Sequence, residues 1–213
     1  MVVGSLAGKT IVVLGGSSPC GAATVRALAR EGANVVLGGR SRDRLEALEE
    51  EVRASGGGAV VVGVHLAKRH HPVHLMEAAV EAFGGLNVLL FMARSAAPPL
   101  RTLEVEAWER SVDVNLKGFI YSVAAALPIM RAGGGGHVVC LDAEDRRAPD
   151  PLYRAGQAAV RVVLQELARE FEDLRATELR LADASPERCA AAVRQVLLDP
   201  SDAGNGFSIR EVP

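Results

Sequence analysis

The sequence has no excess of charge of either sign. Its 24 basic and 26 acidic residues leave a formal net charge of −2 and are interspersed along the chain, so no stripe points to nucleic acid or to an anionic membrane surface. Cysteine is scarce as well. Cys20, Cys140 and Cys189 are an odd number and far apart, with neither metal-type spacing nor an even disulfide set, which favours a reducing, cytoplasmic setting. Long apolar runs are missing too: none approaches the ~20 residues that cross a bilayer, and Met1–Lys9 is short and Gly-containing, unlike a secretion leader.

What the chain has in quantity is short runs rich in Val and Leu. With 49% hydrophobic residues over 213 positions it can bury one sizeable core, and this length favours one domain, 1–213, over two. Ile11–Leu14, Asn34–Gly38, Ala59–Val64, Asn87–Met92, Gly136–Leu141 and Glu178–Leu181 are predicted strands, apolar as the strands of a parallel sheet covered on both faces must be. Helical patterns fall between them at Gly21–Glu31, Arg42–Ser55, Pro72–Phe83, Val105–Met130 and Tyr153–Phe171. The alternation predicts an α/β fold, a doubly wound parallel sheet of Rossmann type with helices on both faces. Gly56–Gly58 and Gly133–Gly136 read as loops, and no repeat or linker is visible.

Lys9–Gly21 places a Gly-rich turn between the first strand and a helix, Asp113–Gly118 carries Asn115, and the strand His137–Leu141 is followed by a helix headed by Tyr153. In that order and spacing, from about Leu6 to the C-terminus, these segments resemble the short-chain dehydrogenase/reductase family. The resemblance implies a dinucleotide in the crevice, with Gly15, Ser17, Ser18 and Gly21 forming the pyrophosphate turn at a helix N-terminus. Arg40 and Ser41 stand where an acid would select NAD, and an Arg there can pair with the 2′-phosphate of NADP. The other reading of Arg40, with Arg42, Asp43 and Arg44, is a solvated helix start.

The sequence departs from the family pattern at separate points. Leu14 replaces a Thr, and Pro19 replaces the middle glycine, with no N–H and a ring where pyrophosphate would approach; alternatively Pro19 opens a helix whose turn binds nothing. His65 replaces an Asp near the adenine, and Phe91-Met92-Ala93-Arg94 replaces Asn-Asn-Ala-Gly, where apolar side chains read as core filling. The resemblance implies a Tyr that transfers the proton, a Lys that lowers its pKa, a Ser that orients the carbonyl and an Asn that anchors a water relay. Tyr153 and Asn115 remain, but Ala143 holds the Ser position and Gln157 the Lys position. A phenol titrates near 10, and without a cation it is a poor acid or base at neutral pH.

Asp142 is the remaining candidate catalytic carboxylate, with Glu144, Asp145, Arg146, Arg147 and Arg154 close by in sequence. Such a set suits a lyase or isomerase, or is a solvated loop. Asn115 and Tyr153 can equally serve the backbone at helix irregularities and ends. His70 and His74 have an i, i+4 spacing, but Pro72 places the helix start after His70, so no metal site is expected. Residues 182–185 lead directly from Leu181 into the predicted helix Pro186–Leu198, where the family inserts a lid over substrate.

An apolar stripe of Ala155, Ala158, Ala159, Val162, Val163, Leu167 and Phe171 is too wide for a solvated helix. The resemblance implies that this helix and Val105–Met130 pack on a partner subunit, in a homo-oligomer (dimer or tetramer) or against an active homologue. Gly206–Arg210 resembles the family's last strand. The expected protein is thus a redox-incompetent short-chain dehydrogenase relative. Its alternatives are an NADP(H)-dependent oxidoreductase of carbonyl or alcohol compounds, and a non-redox lyase or isomerase in the same crevice.

Overall fold

The computed structural model describes residues 5–96, 99–102, 104–143, 151–182, 184–199 and 206–212. Seven strands form one parallel sheet: β1 (Thr10–Leu14), β2 (Asn34–Gly39), β3 (Ala59–Gly63), β4 (Val88–Phe91), β5 (Gly136–Ala143), β6 (Leu174–Leu181) and β7 (Gly206–Val212). Their order, β3-β2-β1-β4-β5-β6-β7, reverses direction between β1 and β4. In a doubly wound sheet the crevice at that reversal, at the C-terminal ends of the strands, is where ligands bind.

Helices α1 (Pro19–Arg30), α2 (Arg42–Ala54) and α7 (Pro186–Leu198) cover one face; α3 (His71–Phe83), α5 (Gly118–Ala132) and α6 (Pro151–Glu170) cover the other. Side chains of a strand alternate between faces, so Ile11 and Val13 join the first layer's core while Val12 and Leu14 join the second. Both sides being covered is why β1 to β4 carry almost no polar residues.

Strand β6 begins at Leu174, four positions before its apolar stretch suggested. The polar residues Arg175 and Thr177 hide its start in sequence, because they are matched in three dimensions, as is Glu178. Glu178 is fully buried and accepts from Arg161 Nε at 2.7 Å and Nη2 at 3.1 Å and from Arg180 Nη2 at 3.0 Å. His137 on β5 is buried beside it, its Nε2 2.8 Å from Thr177 Oγ1, and Arg175 Nη2 lies 2.9 Å from its Nδ1. Since guanidinium only donates, Nδ1 accepts and Nε2 carries the proton.

The predicted helix Val105–Met130 is three pieces: α4 (Val105–Val112), a π-turn at Asp113–Lys117, and α5. A π-turn inserts one residue into the ladder and often marks a functional site. Here it sits at Asn115. The helical run 105–132 is long and apolar enough, by length and composition alone, to cross a membrane, but Phe119, Val123, Ala126 and Met130 lie in the core beneath the sheet.

Candidate active site

The turn from β1 into α1 satisfies itself. Gly15 has φ +98°, and a Cβ there would lie 2.7 Å from the backbone of Met92 and Ala93, so only glycine fits. A Cβ on Gly21 would meet the carbonyl oxygen of Gly15. Ser18 caps α1: its hydroxyl donates to the Gly15 carbonyl at 3.0 Å and accepts from the Gly21 amide at 3.0 Å. Pro19 occupies the first turn of the helix, where a missing N–H costs nothing. Three of the turn's expected binding residues, Gly15, Ser18 and Gly21, are therefore required by the turn itself.

A cleft of about 480 Å³ opens over the ends of β1, β2 and β4. Its outer part is lined by Ser17, Ser18, Arg40 and Arg44, its inner part by Met92, Arg94, Leu141, Ala143 and Tyr153, and among the described residues no Asp or Glu lines it. Ser17 lies against the end of β2, its hydroxyl 3.7 Å from a Cβ built on Gly39. Arg40 is exposed at the rim; Ser41 precedes α2 without lining the cleft, and Arg42 turns away to pair with Glu46 at 2.6 Å. Arg44 reaches the cleft as well. It could have been found in sequence from its position four residues beyond Arg40, in the first turn of a helix that starts beside the crevice.

His65 lines the cleft where the family has its Asp, and its backbone N–H donates to His71 Nδ1 at 3.1 Å. His74 bonds Glu77 at 3.0 Å, and among the described residues no group of His, Cys, Asp and Glu is arranged to hold a metal. Helix α3 begins at His71, with His70 as the preceding residue.

At the inner end Tyr153 is buried, 2% exposed, and its hydroxyl accepts from Gln157 Nε2 at 2.7 Å. The thiol of Cys140 donates weakly to Gln157 Oε1 at 3.7 Å. Burial pushes the Tyr153 phenol well above its ordinary value and the charges of Asp142 and Cys140 add to the rise; the Gln157 bond and the Arg94 charge act against it more weakly. Asn115 gives its amide to the chain: Oδ1 accepts from the Ser95 N–H at 2.8 Å, while Nδ2 donates to the Ser95 carbonyl at 2.8 Å and to Ser111 Oγ at 3.0 Å. Asn115 thus joins the π-turn to the segment after β4. Asp142, on β5, is not among the residues that line the cleft. Glu144, Asp145, Arg146 and Arg147 lie outside the described residues.

Arg94 stands where the family pattern has a glycine beside the cofactor path. Its guanidinium carbon stands 4.3 Å from the centre of the Tyr153 ring, and Nη1 donates to the Ala143 carbonyl at 3.0 Å. The side chain bridges the ends of β4 and β5 beside Tyr153. The outer end, with Ser17, Arg40 and Arg44, fits the 2′-phosphate half of NADP. At the inner end Arg94 lies over the Tyr153 ring.

Residues 9–195 match the family model for short chain dehydrogenase. The chain is 36% identical over 222 residues to glycine betaine reductase ATRR of Emericella nidulans, a match that covers 96% of this chain and 18% of that protein. It is 32% identical over 196 residues to the uncharacterized oxidoreductase Lin0452 of Listeria innocua, covering 90% of this chain and 77% of that protein. Among solved structures, a short-chain type dehydrogenase/reductase from Mycobacterium ulcerans superposes with a TM-score of 0.86 at 22% identity, over 98% of this chain and 89% of the other, a likeness of fold. A metagenomic short-chain oxidoreductase in complex with NADP gives a TM-score of 0.85 at 25% identity, over 98% of this chain and 99% of the other. With its sheet order, its self-capped Gly-rich turn and a family match across most of its length, the chain belongs to the short-chain dehydrogenase/reductase family.

Proposed function

We propose that this chain is a redox-incompetent short-chain dehydrogenase relative, a cytoplasmic protein that works as a homo-oligomer or as the non-catalytic partner of an active homologue. One observation carries the reading: the side chain four residues beyond Tyr153 is Gln157, whose neutral amide bonds the phenol at 2.7 Å. A tyrosine proton shuttle needs a cation there to stabilise phenolate near neutral pH, and an amide supplies a dipole in its place. Two further features support it. Ala143 offers no hydroxyl to a carbonyl, and Arg94 lies over the ring of Tyr153. β6 ends at Leu181 and α7 begins at Pro186, which leaves residues 182–185 where the family has a lid. Exposed Val105, Trp108, Ile120 and Val162 on α4, α5 and α6 support an oligomer, since such apolar positions are the anchors of subunit contacts.

A second reading, an NADP(H)-dependent oxidoreductase of a carbonyl or alcohol compound, is favoured by Arg40 and Arg44 at the cleft rim and by the oxidoreductase names of the relatives. Turnover separates the two. Purified protein mixed with NADPH and a panel of aldehydes and ketones is expected to consume no NADPH beyond the buffer rate, and Tyr153→Phe to behave identically. NADPH consumption that disappears in Tyr153→Phe would establish the second reading.

A further inference from the structure

The cleft is cationic along its whole length. Among the described residues Arg40, Arg44 and Arg94 line it, no carboxylate does, and none of the three makes an ion pair. Arg94 is the one placed beside the inner wall. Its two fixed contacts, the face of the Tyr153 ring and the carbonyl of Ala143, orient the guanidinium, and neither is a negative charge. A guanidinium carries five N–H donors in a planar fork, and one of them is spent on Ala143. Arg94 is itself exposed, so the others are open to a ligand entering the cleft. Around it stand Met92, Ala93, Val114, Leu141 and the Tyr153 ring, a predominantly apolar wall.

We propose that Arg94 makes the inner end of the cleft a receptor for a small organic carboxylate, whose two oxygens meet the guanidinium fork while its carbon skeleton lies on the apolar wall. The planar fork matches a carboxylate in a bidentate pair. The stacked Tyr153 ring holds the fork in place beforehand, so little side-chain freedom is lost on binding. Apolar lining separates the carboxylate from a free inorganic phosphate, which would have to give up water on all sides with nothing but one cation in return. This assignment concerns binding and holds whether or not the chain turns over a substrate.

Hexanoate and inorganic phosphate serve as probes in ligand-observed NMR with the purified full chain. Saturable binding of hexanoate is expected, with binding of phosphate much weaker. Arg94→Gln, which keeps a polar side chain at an exposed position, should weaken hexanoate ~10-fold or more, the effect of losing one charge-assisted bidentate pair. Arg40→Gln should leave hexanoate binding unchanged. Absence of saturable hexanoate binding, equal affinity in Arg94→Gln, loss in Arg40→Gln, or phosphate binding as tightly as hexanoate would each overturn the assignment.

Discussion

Replacing Arg94 by glycine should tighten the binding of NADPH. To lay a nicotinamide against Tyr153, the dinucleotide must first lift the guanidinium from the ring face, 4.3 Å away, and break its 3.0 Å bond to the Ala143 carbonyl. The stacking is worth ~0.5–1 kcal/mol at an exposed site. A hydrogen bond from a charged donor adds ~1.5–3 kcal/mol, and the exposure of Arg94 keeps it near the lower figure. Removing both obstacles should therefore favour binding by ~2–2.5 kcal/mol, lowering Kd ~30- to 70-fold. No non-glycine residue has a positive φ among the described residues, so the gain would come from space and not from relief of backbone strain. Glycine should cost the fold ~0.5–1 kcal/mol through added freedom of the unfolded chain, visible as a small drop in Tm. Titrating wild type and Arg94→Gly with NADPH and following nicotinamide fluorescence gives both constants. An unchanged Kd in Arg94→Gly would show that the guanidinium does not occupy the nicotinamide's space, and the account of the inner cleft would be wrong.

His137 should not become charged in the native protein through the mildly acidic range, because burial, followed by the Arg175 charge, lowers its pKa to about 3. The unfolded chain takes up this proton near the ordinary value of ~6.5, so the unfolded state binds more protons between the two values and stability falls as the pH drops through that window. This one group contributes a slope of ~1.4 kcal/mol per pH unit there; urea unfolding at several pH values should show it, and a His137→Gln variant whose slope matches the wild type would refute it. Arg161→Met should destabilise the fold by ~2–4 kcal/mol, since it leaves a fully buried Glu178 carboxylate with Arg180 as its remaining cation. The urea midpoint reads this directly, and an unmoved midpoint would mean that the network holds nothing together.

Much of the sheet was legible because the physical signal is local. Strands β1, β2 and β4 are continuous apolar runs, as burial on both faces demands, and Gly15 and Gly21 announce a strand-to-helix turn that only glycine can make. The start of β6 was not legible. Arg175 and Thr177 look like loop residues until β5 and β7 supply their partners. The π-turn at Asn115 was hidden for a related reason, since what fixes it is the backbone of Ser95, 20 residues away.

The family pattern in the sequence determined which groups are present at the site: a phenol with no lysine four residues on, and no serine at the end of β5. It could not determine what fills the space they leave. That depended on β4 and β5 lying side by side, which carries Arg94 from the end of one strand to the carbonyl of Ala143 on the other and sets it over the Tyr153 ring. Residue identity is written along the chain, whereas the charge in a crevice is the sum over segments that meet only when the sheet has formed.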